Sequence, residues 1–200
     1  VRIKHYDEKH FSISGTPTDS VLFASQVIMK DNPPDIVFSG INIGSNVGDD
    51  ITYSGTVAGA MEATLLGIPA IAFSQLFAED EDLDAGWKTA AHFFPLVVDG
   101  LLKMTWDAGT FMNVNLPAKS PSLAKGIAIA EQGKRVFSVN LHERIDPKKR
   151  PYYWIGGNRN DAATEGCDVD LLSKGYVTVT PLHLNLTHHD MLARMDGLFD

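Results

Sequence analysis

Two short segments that are apolar almost throughout lie on either side of a helical pattern, and they restrict the fold more than any other feature. The first is Asp35-Ile36-Val37-Phe38 and the second is Ile68-Pro69-Ala70-Ile71-Ala72-Phe73-Ser74. Strands without polar alternation are buried on both faces, as in a parallel sheet. The helical pattern between them begins at Tyr53-Ser54-Gly55-Thr56 and ends at Gly67. A strand, a helix and a strand at this spacing predict a right-handed βαβ unit.

Two further helices are predicted on the same grounds. One begins at Thr16, because Thr16 can serve as the N-cap, Pro17 suits the first helical position and Asp19 can complete a capping box. A longer helix is predicted over residues 85–103, where Pro95 is expected to kink or split it. A strand is predicted next, over residues 111–117.

The pattern changes after Pro117, where β segments follow one another without long helices between them. Strands are predicted over residues 127–130, 135–139 and 152–155, and a charged loop over residues 142–150. These segments do not form another βαβ unit, and they indicate an exposed β-hairpin arm of the kind that pairs with a second subunit. A short helix at 168–174, a strand at 176–180 and a last helix at 188–199 complete the prediction.

Composition excludes several classes of protein. The chain has 200 residues, 44% of them apolar and 21% charged, which is typical of one globular domain. The net charge of −8 argues against duplex nucleic acid as a partner. No apolar run reaches the length of about 20 residues that spans a bilayer, so no membrane partner is expected. The one cysteine, Cys167, cannot form an internal disulfide, which indicates a cytoplasmic protein.

The loop from Ser39 to Thr56 carries side chains that can bind a metal ion or a phosphate group. It follows a predicted parallel strand and precedes a helix, where open α/β sheets bind their ligands. Asn42 and Asn46 can ligate a hard metal ion or bind phosphate. Hydroxyls and backbone N–H groups at the start of the helix, from Ser54 to Thr56, suit an anion. The alternative is a connecting loop whose glycines and asparagines only form turns.

Several motifs in order resemble those of the SurE survival-protein family of metal-dependent 5'/3'-nucleotidases, which remove phosphate from nucleoside monophosphates. The resemblance covers almost the whole chain. The matching segments are Gly15-Thr16-Pro17-Thr18-Asp19, Ser39-Gly40-Ile41-Asn42-Ile43-Gly44-Ser45-Asn46, Tyr53-Ser54-Gly55-Thr56-Val57-Ala58-Gly59-Ala60, Asn113-Val114-Asn115-Leu116-Pro117, Tyr153-Trp154-Ile155-Gly156 and Gly175-Tyr176-Val177-Thr178-Val179-Thr180-Pro181-Leu182.

The resemblance implies an α/β fold: a three-layer α/β/α, Rossmann-like, mostly parallel sheet with a C-terminal β-hairpin arm and a swapped terminal helix. Residues 1–124 would form the core, 125–160 the arm for oligomerisation, and 161–200 the return strand and C-terminal helix of a homodimer or homotetramer. The substrate would be a nucleoside monophosphate.

The resemblance also assigns roles to residues. Asn42 would bind one Mg²⁺ or Mn²⁺ ion. Asn46, Ser54, Gly55 and Thr56 would bind the phosphate, and Asn42 and Ser54 would be catalytic.

One departure from the family concerns the metal. The resemblance implies two adjacent aspartates after a first strand and a serine as further ligands, and no Asn-Asp-Asp-Gly segment occurs in residues 1–200. Because the strand pattern is already under way at Val1, the remaining ligands are expected upstream of it. The 200-residue chain alone is then expected to be inactive or nearly so. Asp49 and Asp50 are an adjacent pair that could serve instead, although they lie on the other side of the loop.

Several alternatives remain open on the sequence. A nucleotide- or phosphate-binding module without catalysis would use only the helix start at Ser54, and a structural oligomer would bind neither phosphate nor metal. Asn113 and Asn115 alternate with apolar residues, so they share one strand face that either reaches the site or satisfies a loop. Trp154 and its neighbouring tyrosines either stack on a base or pack at a subunit contact.

Overall fold

A computed structural model describes residues 1–77, 83–160 and 164–199. The strands in chain order are β1 (Ile3–His5), β2 (Phe11–Ile13), β3 (Val37–Ile43), β4 (Ala70–Gln75), β5 (Thr110–Leu116), β6 (Ile127–Ile129), β7 (Val136–Ile145), β8 (Pro151–Asn160) and β9 (Val177–His183). The helices are α1 (Pro17–Phe23), α2 (Gly55–Leu65), α3 (Leu83–Leu101), α4 (Asp168–Ser173) and α5 (His189–Arg194).

The central sheet of the described residues has five strands in the order β3-β4-β5-β9-β6. The pairs β3–β4, β4–β5 and β6–β9 are parallel, and only β5–β9 is antiparallel. The β3–α2–β4 segment is the predicted βαβ unit. The prediction of a mostly parallel α/β sheet is therefore confirmed.

Helices cover both faces of this sheet, which gives three layers. On one face α3 packs Phe93, Val97 and Leu101 against Phe73 and Val114 of the sheet. On the other face α2 contributes small residues, among them Ala60 and Ala63, to a second core cluster. Burying each large apolar side chain contributes about 1.5–3 kcal/mol, so burial on both faces stabilises the packing of the helices against the sheet.

The predicted start of α1 is confirmed by its hydrogen bonds. The Thr16 hydroxyl accepts from the Asp19 backbone N–H at 3.2 Å, and the Asp19 carboxylate accepts from the Thr16 backbone N–H at 2.8 Å. The bond from the Thr16 backbone is the main cause that holds the pKa of Asp19 below its ordinary value. A short π-helical segment, Ala24–Ile28, continues α1.

The predicted end of β3 is wrong. Strand β3 continues to Ile43, and Ser39, Asn42 and Ile43, predicted as loop, pair with β4. Of the two effects expected of Pro95, the split is contradicted, because α3 is one helix from Leu83 to Leu101. A proline inside a helix costs about 3 kcal/mol. The burial of Phe93 and Val97 on either side of it offsets that cost.

The predicted arm differs from the structure in which strands it contains and in how long they are. Residues 127–129, assigned to the arm within 125–160, form β6 at the edge of the central sheet. They pair there because the free edge of β9 offers unpaired backbone groups, as in the bond from the Val177 N–H to the Gly126 carbonyl at 2.9 Å. Strand β7 also extends to Ile145, through part of the predicted charged loop.

The hairpin of β7 and β8 extends from this body with ten residues in each strand. Its antiparallel register places Leu141 opposite Ile155 and His142 opposite Trp154. Helix α5 is exposed along its whole length. In the described parts of the chain, no helix has both the length and the apolar character needed to cross a membrane.

Candidate functional site

The candidate site lies where β3 ends and the chain turns toward α2. Gly40 in β3 has a φ of +131°, and a Cβ atom there would lie 2.4 Å from the Phe73 carbonyl oxygen. Only glycine fits this backbone conformation and this close approach to β4. This conformation of Gly40 accompanies the irregular pairing of β3 with β4 between Ser39 and Asn42. Asn42 is half-buried near the carboxyl end of the strand.

The N-terminus of α2 presents free hydrogen-bond donors. Ser54 is the N-cap, and its hydroxyl oxygen accepts from the Val57 backbone N–H at 3.1 Å. The backbone N–H groups of Gly55 and Thr56 find no acceptor among the described residues. Because the helix dipole adds partial positive charge at this end, the start of α2 is suited to an anion.

Asn42 and Thr56 line the same cleft. The cleft has a volume of about 450 Å³ and lies between the start of α1, β3 and the start of α2. The Asn42 amide nitrogen donates to the Gly44 carbonyl at 3.0 Å and to the Ile43 carbonyl at 3.3 Å. The side-chain oxygen of Asn42 is therefore the atom left for a ligand.

Ser54 borders a second groove, on another side of α2. This groove has a volume of about 760 Å³ and is lined mainly by apolar residues, among them Ile51, Phe111 and Leu182. The structure thus brings Asn42 and Thr56 together in one cleft, whereas Ser54 lines the other groove.

Asn46 is a buried residue of the loop, only 7% exposed. Its backbone N–H donates to the Asn115 side-chain oxygen at 2.7 Å, and its carbonyl accepts from Asn113 at 2.8 Å and Asn115 at 3.1 Å. Its amide nitrogen donates to the Ser74 hydroxyl at 2.7 Å, which leaves one N–H for a ligand. Asn113 and Asn115 share one face, as predicted, and that face bonds to the loop.

Asp168 is a functional candidate that the sequence did not single out. It is fully buried at the start of α4 and accepts from the backbone N–H groups of Gly48 at 2.9 Å, Gly133 at 2.7 Å and Val169 at 2.8 Å. The bond to Gly48 ties α4 to the loop two residues after Asn46. Because 120 residues separate Gly48 from Asp168, no local pattern could have indicated the contact.

Asp49 and Asp50 serve the structure of the loop. The Asp49 carboxylate accepts from the Arg135 backbone N–H at 3.1 Å, and Asp50 forms an ion pair with the Arg135 guanidinium. Both lie in a 3-10 helix, Gly48–Tyr53, that leads into α2. These contacts fix the turn between Asn46 and Ser54.

The described residues do not by themselves fit a divalent metal ion. Residues 1–77, 83–160 and 164–199 contain no group of three or more His, Cys, Asp or Glu side chains that could hold one. Asn42 offers a single neutral oxygen, whereas Mg²⁺ and Mn²⁺ require carboxylates. The part of the site that is built here is the anion-binding helix start.

Comparisons with known proteins agree with this geometry. A family model described as Survival protein SurE matches residues 1–139. A protein of Chelativorans sp. (strain BNC1) named 5'-nucleotidase SurE is 43% identical over 197 residues, covering 98% of this chain and 78% of the relative. A protein of Paramagnetospirillum magneticum with the same name is 41% identical over 200 residues, covering 100% and 76%.

The fold also matches a solved structure. The crystal structure of the SurE protein from Aquifex aeolicus superimposes with a TM-score of 0.84 at 39% sequence identity, covering 100% of this chain and 79% of that one. The match by sequence, which extends over nearly the whole chain, and the match by structure agree. The chain belongs to the SurE survival-protein family.

Proposed function

We propose that the protein is a 5'-nucleotidase, a phosphoric monoester hydrolase that converts nucleoside 5'- and 3'-monophosphates to nucleoside and phosphate. Its relatives carry the name 5'-nucleotidase SurE. The observation that carries the proposal is the cleft in which Asn42 faces the start of α2, where the N–H groups of Gly55 and Thr56 have no acceptor among the described residues.

The start of α2 binds the substrate phosphate. The N–H groups of Gly55 and Thr56 and the Thr56 hydroxyl donate to phosphate oxygens, and Asn46 adds its remaining N–H. The Ser54 oxygen already accepts from Val57, so its O–H hydrogen is left to donate. Donors that are held in place before the reaction stabilise the charge that develops on the oxygens in the transition state. The catalytic role of Ser54 is therefore to donate its O–H to a phosphate oxygen and to stabilise the charge that develops there.

A divalent metal ion, Mg²⁺ or Mn²⁺, completes the site. Asn42 would contribute one ligand through its side-chain oxygen, and carboxylates would have to supply the others, since the described residues hold no cluster of three or more such groups. When bound, the ion supplies a Lewis acid that neutralises charge on the phosphoryl group. The residues of this chain orient the phosphate toward the Asn42 side of the cleft.

The assembly is a homodimer or homotetramer in the cytoplasm. The body of the fold consists of residues 1–124 together with β6, β9 and α4, and the hairpin of β7 and β8 joins the subunits. Helix α5, with Met191 and Leu192 exposed, is exchanged between them. A single buried cysteine, Cys167, is suited to a reducing compartment.

A phosphate-binding module without catalysis would use the same helix start. The names of the relatives support the enzyme, and they give no support to such a module or to an inactive 200-residue fragment. The two functions differ at Asn42, because only the enzyme needs a metal ligand there.

The substitution Asn42→Asp in the full-length protein separates them. In the enzyme the added carboxylate changes the metal dependence of AMP hydrolysis, so the Mn²⁺ concentration for half-maximal activity falls. In a binding module the same charge weakens phosphate binding and nothing depends on metal. The exposed Asn32→Asp substitution is the matched control, with no expected change. The proposal is wrong if the wild-type protein does not hydrolyse AMP, or hydrolyses it equally in EDTA.

A further inference from the structure

Asn113, Asn115 and Ser74 form a clamp that makes four hydrogen bonds to Asn46. Asn115 bonds to both the N–H and the carbonyl of Asn46, as a neighbouring strand would, and Asn113 adds a second donor to the same carbonyl. Both asparagines are fully buried, and a buried amide is costly unless it is hydrogen-bonded. Two such side chains directed at one residue fix the orientation of its peptide groups.

The side chain of Asn46 is fixed separately. Its amide nitrogen donates to the Ser74 hydroxyl, and Ser74 is fully buried on β4 opposite Asn115. With backbone and side chain both held, the remaining N–H of the Asn46 amide has one direction. The clamp therefore determines where Asn46 can donate.

We infer that Asn115, assisted by Asn113, is a positioning residue for phosphate: it fixes the Asn46 peptide so that the free amide N–H donates to the substrate phosphate. This inference rests on the proposed function. It concerns phosphate and not metal, because the side chain of Asn42 bonds to Gly44 and Ile43 and to no member of the clamp.

The test is Asn115→Leu, which keeps the volume of the side chain and removes both of its hydrogen bonds to Asn46. In the full-length enzyme with Mn²⁺, the KM for AMP and the inhibition constant of inorganic phosphate rise about tenfold, the effect of losing one charge-assisted hydrogen bond. The Mn²⁺ concentration for half-maximal activity stays unchanged. A folded variant with unchanged KM and phosphate inhibition overturns the inference. So does an equal loss of phosphate and Mn²⁺ affinity, since that indicates general disorder.

Two more variants complete the design. Thr178→Val is the matched control, because Thr178 is fully buried opposite Asn115 and its hydroxyl finds no partner in the described chain. We expect Thr178→Val to leave the KM for AMP and the inhibition constant of inorganic phosphate unchanged. If Asn115→Leu does not fold, Asn115→Ala removes the same two hydrogen bonds without filling the space. It also weakens phosphate inhibition, and a folded Asn115→Ala variant with unchanged phosphate inhibition overturns the inference.

Failure of the proposed function is a separate result. A wild-type protein that does not hydrolyse AMP contradicts the nucleotidase, and calorimetry with inorganic phosphate then still compares wild type with Asn115→Leu. If the wild-type enzyme hydrolyses AMP and the folded Asn115→Leu variant has the same KM and the same phosphate inhibition, only the positioning role is contradicted.

Discussion

The buried side chain of Asp168 connects three segments of the chain: the loop, the segment after β6, and α4. Its carboxylate accepts three backbone N–H bonds, from Gly48 of the loop, Gly133 after β6 and Val169 of its own helix. It is 0% exposed, so each of those bonds is made away from water. Hydrogen bonds from several backbone donors stabilise a buried carboxylate, because bonds to a charged acceptor are stronger than those to a neutral one.

Replacing Asp168 with asparagine tests this at the residue scale. An amide has one acceptor oxygen, so at least one of the three backbone N–H groups would face an NH₂ group. A buried unsatisfied donor costs about 1–3 kcal/mol, and we expect the free energy of unfolding to fall by about 2 kcal/mol. Urea denaturation followed by circular dichroism measures it.

Asp170→Asn is the control for this substitution. Asp170 lies in the same helix, but its bonds to Gly166 and Lys174 are exposed to solvent. Its replacement should change the free energy of unfolding much less. Equal losses for the two variants would contradict the role of the buried hydrogen bonds.

At the scale of elements, α2 approaches β3 closely at one glycine. A Cβ atom on Gly59 would lie 2.6 Å from the Ser39 hydroxyl oxygen and 3.4 Å from the Pro17 side chain. The absence of a side chain there lets α2 lie against both β3 and the start of α1. This packing sets the width of the cleft between Asn42 and Thr56.

Gly59→Ala should therefore push α2 away from β3. Overpacking of a tight interior costs about 1–3 kcal/mol, and we expect a loss of that size in the free energy of unfolding, with a higher KM for AMP. Gly100→Ala is the matched helical control, because nothing lies within 4 Å of its added Cβ atom. Its better helix propensity should stabilise α3 by up to about 1 kcal/mol. A neutral Gly59→Ala variant would mean that α2 and β3 are not tightly packed.

At the scale of the whole molecule, the hairpin of β7 and β8 exposes an apolar surface. Leu141 and Ile155 are opposite one another and are 62% and 69% exposed. A two-stranded hairpin alone is marginally stable in water. An exposed apolar patch on such an arm is typical of a protein–protein contact, which supports the proposed oligomer.

Ile155→Lys tests the arm. If the hairpin joins the subunits as proposed, a charge at Ile155 should shift the protein to a smaller assembly, measured as molar mass by light scattering. Leu123→Lys is the matched control, because Leu123 is also 69% exposed but lies outside the arm. We expect it to leave the mass unchanged. If Ile155→Lys keeps the wild-type mass, the hairpin does not join the subunits.

The sequence by itself determined the features that depend on neighbouring residues. The N-cap at Thr16, the start of α2 near Ser54 and the βαβ order from β3 to β4 were predictable, because caps and apolar periodicity act over a few residues. The family was recognisable for a similar reason, since its motifs are short runs of consecutive residues.

Only the tertiary structure decided the contacts between distant parts of the chain. The pairing of β6 with β9, the bonds from Asn115 to Asn46 across 69 residues and the bond from Gly48 to Asp168 across 120 have no local signal. Buried polar groups must find partners wherever the packed chain provides them. The sequence therefore supplied the candidate ligands of the phosphate, and the packing of β5 and α4 decided how they are held.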